Sequence, residues 1–78
     1  MKLSIHTEFL ASTPRCVHGD ALAGGVQFIA KEIIKGMREP KQAAKDILKI
    51  VGEYFEGRTD VDPQVMNMCR AAARQILS

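Results

Sequence analysis

Two pairs in which an acidic residue precedes proline, Glu39-Pro40 and Asp62-Pro63, constrain the fold of this chain more than any other feature. Proline disfavours the helical conformation in the residue before it, and its own ring suits the first turn of a helix. Each pair therefore predicts a break in the helical pattern, followed by the start of a new helix. The resulting division of the chain is an arm and connection over 1–19 and helices over 20–38, 40–56 and 63–77.

Apolar residues recur at helical spacing within all three of these segments. Asp20 is a suitable N-cap for the first segment, and Gly57 supplies a left-handed stop for the second. The apolar face of the second segment is wide, at roughly 160°, which predicts that it is the central element of the core. The predicted core positions are Leu22, Val26, Ile29, Ala30, Ile33, Ile34, Met37, Ala43, Ala44, Ile47, Leu48, Ile50, Val51, Tyr54, Phe55, Val65, Met66, Met68, Cys69, Ala72, Ala73, Ile76 and Leu77.

Residues 2–9 alternate between polar and apolar side chains, the period expected of a half-buried strand. The sequence shows no second strand that could satisfy the backbone hydrogen bonds of the first. We therefore expect an extended arm, or a short strand that pairs with its counterpart in a homodimer. The fold class that follows is all-α: one compact three-helix domain over 1–78 with an N-terminal extended arm or short strand.

The length of 78 residues allows only one small core, because a chain of this size buries only about 60% of the surface that it exposes when unfolded. Such chains often gain stability from a second copy, so we expect a homo-oligomer. No run approaches the roughly 18 consecutive apolar residues of a membrane span, and the first ten residues include Lys2, His6 and Glu8 where a signal peptide would be apolar. We expect a cytoplasmic protein that does not contact membranes.

Cys16, Cys69, His6 and His18 together have the residue types of a tetrahedral zinc site. Their spacing argues against one, because structural zinc sites usually draw their ligands in close pairs, and Cys69 falls on an apolar helical face, where cysteine behaves as a small hydrophobe. A catalytic set of Cys16, His18 and Asp20 is weaker still, since nucleophile, base and orienting acid normally come from separate elements around a pocket. We predict no metal, no cofactor and no enzymatic activity.

Phe28 lies roughly 140° from the centre of the apolar face of its predicted helix. In one interpretation, the N-terminal arm covers Phe28 through Phe9 or Leu10. In the other, Phe28 anchors self-association or a partner, because aromatic anchors ringed by charge are typical of interfaces. The neighbouring pair Gly24-Gly25 predicts the close approach of another helix. The residues assigned to this surface are Phe28, Gly24, Gly25, Lys31, Lys35 and Phe9.

Basic side chains provide a nucleic-acid alternative. The net charge is only +2, but six bases against three acids lie in the range 31–49. The second helix, the turn after it and the third helix could imitate a helix-turn-helix, with arginine and asparagine reading bases. Against this, four acids in the range 53–62 crowd the place where phosphates would lie. The residues assigned to this alternative are Lys41, Lys45, Lys49, Asn67, Arg70 and Arg74.

The order of a strand followed by two helices is similar to that of the ribbon-helix-helix family of DNA-binding proteins. The chain departs from that pattern, because a long connection follows the strand and Glu8 would face the DNA. We therefore expect a non-enzymatic protein–protein interaction module, a regulator, inhibitor or adaptor of the kind that suits bacteria or phages, which masks a site on a larger protein or complex. The alternative is a DNA-binding transcriptional regulator that uses the last two helices. A third class, a protein that holds a small anion between subunits, also stays open.

Overall fold

Four α-helices and one π-helical turn make up the part of the chain that the computed structural model describes, residues 5–12 and 20–78, with 20 and 21 described by their backbone only. Helix α1 packs on α2 and α4, and α3 packs chiefly on α4, with a smaller contact to α2. The radius of gyration of 11.5 Å is that of a compact chain of this length, about 11 to 12 Å. The elements are α1 (Ile5–Ala11), α2 (Asp20–Ile34), α3 (Pro40–Ile50), the π turn (Val51–Phe55) and α4 (Pro63–Leu77).

Helix α1 occupies residues for which the sequence predicted an extended arm or strand, so that prediction is wrong for 5–11; residues 1–4 lie outside the described part. Thr7 and Leu10, spaced by three positions, are buried, whereas Ile5 is 73% exposed. A helix satisfies its backbone hydrogen bonds internally, which a lone strand cannot do. The alternating pattern thus covers too few residues to exclude a helix. The face of that helix with Thr7 and Leu10 is buried, and the helix packs on α2 and α4.

Helix α2 ends at Ile34, earlier than the predicted 38, because Gly36 adopts a left-handed φ of 74°. The Gly36 N–H donates to the Ile33 carbonyl over 3.0 Å, and the Met37 N–H donates to the Glu32 carbonyl over 2.9 Å. This pair of bonds is the Schellman motif, which satisfies the last carbonyls of a helix. Met37 therefore leaves the helical face on which it was predicted to be buried, and its side chain is 71% exposed.

The two acid–proline pairs begin helices, as predicted. Proline occupies the first turn of both α3 and α4, and the acid before it is the N-cap. The Glu39 carboxylate accepts from the Lys41 N–H over 3.2 Å, and the Asp62 carboxylate accepts from the Gln64 N–H over 2.9 Å. The predicted left-handed stop is also confirmed, because Gly57 has a φ of 85°.

The π turn continues α3 with a wider turn, marked by a bond of 3.0 Å from the Glu56 N–H to the Val51 carbonyl, five residues earlier. Each residue of such a turn advances by less than the roughly 100° of an α-helix. Phe55 is thereby brought over the core, against which it packs, while Tyr54 is carried away from it and is 63% exposed. The prediction that Tyr54 belongs to the core is wrong for this reason.

The core contains residues from all four helices and the π turn. Cys69 is fully buried in it, as expected for a small hydrophobe on an apolar face. The largest fully buried side chains are those of Leu10, Leu22, Ile47, Val26, Val51 and Cys69.

Candidate docking groove between the second and third helices

An open groove of about 440 Å³ lies between α2 on one side and α3 with the π turn on the other. Ile29 and Ile50, one from each side, contribute the aliphatic part of its lining. The groove is lined by Gly25, Phe28, Ile29, Arg38, Asp46, Lys49, Ile50 and Tyr54, which we call the α2–α3 groove.

Two of the four aromatic residues of the chain line this groove and are exposed. Phe28 is 64% exposed on α2, and Tyr54 is 63% exposed on the π turn. The other two, Phe9 and Phe55, pack against the core. In a domain with so small a core, exposed aromatic side chains brought together on one surface indicate a binding surface, whereas scattered single ones would not.

The interpretation in which α1 covers Phe28 is wrong for the described residues. Leu10 is fully buried in the core and Phe9 packs against it, yet Phe28 stays largely exposed. The predicted close approach of a helix to Gly24 and Gly25 is also absent, because a Cβ placed on either glycine would meet no described atom within 4 Å. No residue of the described ranges 5–12 and 20–78 therefore covers Phe28.

Arg38 connects the end of α2 to α3. Its Nη2 atom lies 2.6 Å from Glu32 Oε1, and its Nη1 atom lies 3.0 Å from Asp46 Oδ2. Gln42 Nε2 donates to the other oxygen of Asp46 over 3.2 Å. Charge-assisted hydrogen bonds of this kind fix geometry as well as adding free energy. The network therefore fixes the position of one end of the groove. It also pairs Asp46, the one carboxylate among the described lining residues, with Arg38 and Gln42.

Three lysines near the groove form no ion pair with a described carboxylate. Lys49 lines the groove, Lys31 is exposed on α2 three residues after Phe28, and Lys35 is exposed in the turn directly after α2. The groove thus has an apolar and aromatic centre with the unpaired Lys49 in its α3 wall, and the unpaired Lys31 and Lys35 follow Phe28 on the other side.

Of the residues predicted for a partner surface, the structure brings Gly25 and Phe28 into the groove, places Gly24 and Lys31 on the same helix, and places Lys35 in the turn directly after it. Phe9 is separate from this set, because it belongs to α1 and packs against the core.

The nucleic-acid residues do not form one surface of unpaired groups. Lys41, Lys45 and Lys49 are exposed along α3. On α4, however, Arg70 Nη2 pairs with Glu56 Oε1 over 3.0 Å, and its Nη1 donates to Asn67 Oδ1 over 3.3 Å. The base-reading groups of Arg70 and Asn67 therefore already have partners within the chain, whereas Arg74 is exposed.

Sequence reasoning assigned Gly25 and Phe28 to a partner surface and Lys49 to the nucleic-acid alternative, but it assigned the other five groove residues to no binding surface: Ile29, Arg38, Asp46, Ile50 and Tyr54. Tyr54 was assigned to the core because the α-helical period was continued through the π turn. Arg38 and Asp46 are eight positions apart and meet only because one helix ends before Gly36 and the next begins at Pro40. No local spacing in the sequence predicts this pair.

Arg58 follows the π turn, within the range 53–62 that contains four acidic residues. Its guanidinium donates from Nε and Nη2 to the two oxygens of Asp60 over 2.8 and 2.6 Å, and it lies 5.7 Å from the centre of the Phe55 ring. The hydrogen bond and the charge of Asp60 raise the pKa of Arg58 above its ordinary value. This pair is local in sequence and exposed to solvent.

Within residues 5–12 and 20–78, no three histidine, cysteine or acidic side chains converge as metal ligands would. Cys16 and His18, on which both the zinc and the catalytic alternatives depend, lie outside the described residues. Across the same ranges, each helix is too short or too polar to cross a lipid bilayer.

The chain matches no protein-family model, and searches of curated proteins and of solved structures found no significant similarity. The function of the groove is therefore inferred from its own residues.

Proposed function

We propose that this chain is a non-enzymatic interaction module that binds a larger protein through the α2–α3 groove and thereby masks the bound site. The observation that carries the proposal is the exposure of Phe28 and Tyr54 on the two sides of one groove. Aromatic side chains dominate the free energy of protein interfaces when they become desolvated near the centre of a contact.

The composition of the groove supports binding of a protein rather than catalysis. An open groove of this kind does not enclose a small substrate, which typically buries about 70 to 90% of its surface in its pocket. Asp46 and Arg38, the acid and the strongest base of the lining, are paired with each other. An aromatic and aliphatic centre with charged residues around it is the usual anatomy of a protein interface.

The proposal includes self-association, because a chain this short commonly gains stability as an oligomer. The masking of a larger partner needs only one groove, whereas a homodimer formed through the groove would occupy it. The measured mass of the purified protein in light scattering, over a range of concentrations, separates these two uses of the groove.

A DNA-binding regulator remains the second candidate. It is supported by Lys41, Lys45 and Lys49, which are exposed along one helix. It is weakened by the pairing of Arg70 with Glu56 and Asn67, since a base contact would require these bonds to be exchanged. Phosphate contacts weaken steeply as salt rises, so a mobility shift at low salt that disappears at high salt would favour this candidate.

The experiment that tests the proposal is affinity capture from cells of the source organism with three forms of the protein. The wild type should retain a partner protein, and the Phe28→Ala, Tyr54→Ala double variant should lose it. A second double variant, Ile5→Ala, Met68→Ala, removes exposed apolar side chains from α1 and α4 and should retain the partner. Equal capture by all three forms would contradict the proposal.

A further inference from the structure

We propose that the partner segment which occupies the α2–α3 groove is an amphipathic helix whose apolar side is flanked by acidic residues. This inference rests on the proposed function and names the chemistry of the partner. It is carried by two features of the groove: the spacing of its lining residues and the charge left without a counter-charge beside them.

The spacing of the lining residues fits a helix. On α2 the lining positions are 25, 28 and 29, and on α3 with the π turn they are 46, 49, 50 and 54. The lining residues of α2, and those of α3 with the π turn, are therefore spaced i, i+3, i+4, as in the ridges of a helix surface. The side chains of a third helix can pack between two such ridges. Amphipathic helices bind in grooves of this type through apolar anchors at the same spacing.

The charge beside the groove selects an acidic helix. Lys49 stands on the α3 side, and Lys31 and Lys35 stand on the α2 side beyond Phe28. None of these three forms an ion pair with a described carboxylate. Acidic residues along both edges of the apolar face of the bound helix would complement these lysines, which favours encounter and fixes orientation.

The same charges disfavour a second copy of this chain as the occupant. In a two-fold interface each surface meets an identical surface. One positive charge on Arg38 is shared by the two carboxylates of Glu32 and Asp46, so this network and the exposed Glu53 together leave two negative charges against the three lysines of each copy. A homodimer through this groove would leave one positive charge on each copy without a counter-charge, whereas an acidic helix would compensate all three lysines.

Single-stranded nucleic acid also combines negative charge with groups that stack on aromatic rings. The lining argues against it, because the Asp46 carboxylate lies in the groove where a phosphate would pass. Arg38, the residue best suited to bind a phosphate, is held by Asp46 and Glu32. A helix with apolar anchors avoids this repulsion, since its charges lie at the edges of the groove.

Tyr54 provides a direct optical probe, because the chain contains one tyrosine and no tryptophan. The first ligand is a pool of peptides about 16 residues long, with leucine at helical spacing, glutamate elsewhere and no aromatic residue. The second is the same pool with lysine in place of glutamate, and the third is an oligothymidine. We expect saturable change of Tyr54 emission with the acidic pool alone, and weaker binding as salt screens the lysines.

A pair of charge reversals on α3 gives the matched control. Lys49→Glu reverses a groove lysine and should weaken binding of the acidic pool roughly five- to tenfold. Lys41→Glu reverses an exposed lysine of the same helix that does not line the groove, and should leave the affinity unchanged. Circular dichroism of both variants should match the wild type, because neither side chain is buried.

Three fluorescence results would overturn the inference: no response to the acidic pool, an equal response to the basic pool, or a response to oligothymidine instead. A fourth would come from light scattering: a dimer in the absence of peptide that becomes a monomer in the Phe28→Ala variant. The proposed function is tested by a different experiment, the capture of a partner protein, so it can be contradicted independently of the acidic helix. If capture of a partner depends on Phe28 and Tyr54 while the acidic pool leaves the emission unchanged, the groove binds a protein of other chemistry and only the acidic helix is refuted.

Discussion

Tyr54 and Phe55 are adjacent in the chain, yet Phe55 packs against the core while Tyr54 is 63% exposed in the α2–α3 groove. The π turn is the cause, because its bond from the Glu56 N–H to the Val51 carbonyl includes one more residue than an α turn. One local change in helix geometry thus completes the core and places the second aromatic residue of the groove.

Truncation of these two aromatic side chains should therefore have unequal effects on stability. Phe55→Ala should lower the free energy of unfolding by about 1 to 3 kcal/mol, since a partly buried ring leaves the core. Tyr54→Ala should change it by less than about 0.5 kcal/mol, as for other surface substitutions. Urea denaturation followed by circular dichroism measures both values, and equal losses would contradict the placement of Tyr54.

Removal of the Leu10 side chain tests whether α1 is part of the core. Leu10 is fully buried, so Leu10→Ala should lower the free energy of unfolding by about 2 to 4 kcal/mol. Ile5→Ala on the same helix is the control and should be close to neutral, because Ile5 is exposed. Chemical denaturation of both variants decides the matter: a neutral Leu10→Ala is the result expected of a loose extended arm.

Alanine in place of glycine should have opposite effects at two kinds of position. At Gly36 and Gly57, where φ is 74° and 85°, alanine is strained and should destabilise the protein by about 1 kcal/mol. At Gly24, inside α2 and with open space for a Cβ, alanine should stabilise it by roughly 0.5 to 1 kcal/mol. Thermal unfolding of the three variants gives the signs, and a destabilising Gly24→Ala would reveal a close neighbour at that position.

Loss of the Arg38 side chain should loosen the connection between α2 and α3. Arg38→Ala removes bonds to Glu32 and Asp46 and should lower the free energy of unfolding by about 0.5 to 1.5 kcal/mol at low salt, and by less at high salt. Arg58→Ala is the comparison, because its pair with Asp60 is local and exposed and its contact with Phe55 joins no two helices, so its effect should be smaller than that of Arg38→Ala. Denaturant titrations at two ionic strengths test this, and an equal effect of the two variants would argue against a special role for Arg38.

Local chemistry made most of the helical architecture predictable. The caps at Glu39 and Asp62, each followed by proline, set the starts of α3 and α4, and Gly57 set the stop after the π turn. The wheel position of Phe28, opposite the apolar face of α2, predicted that it lies off the core face of this helix, and of the two interpretations left open the structure shows it exposed. In each case the deciding interaction lies within a few residues along the chain.

The parts that could not be predicted depend on contacts between distant residues or on a change of helical period. The pattern over 5–11 fits either a strand or a helix, and only packing against α2 and α4 selects the helix. Gly36 was available as a helix stop, but the apolar spacing of Met37 favoured a longer α2. The π turn has no signal in the sequence. For this reason Tyr54 was assigned to the core, whereas Phe28 was assigned to a possible partner surface.

The most direct test of the groove as a docking surface is site-specific photocrosslinking in cells of the source organism. Benzoylphenylalanine, which resembles the native aromatic side chains, replaces Phe28 or Tyr54 in turn, and Ile5, Met68 or Arg74 in the control proteins. Crosslinks to one and the same protein at positions 28 and 54, and at none of the control positions, are the result we predict. Crosslinks confined to position 74, or no difference between groove and control positions, would contradict it.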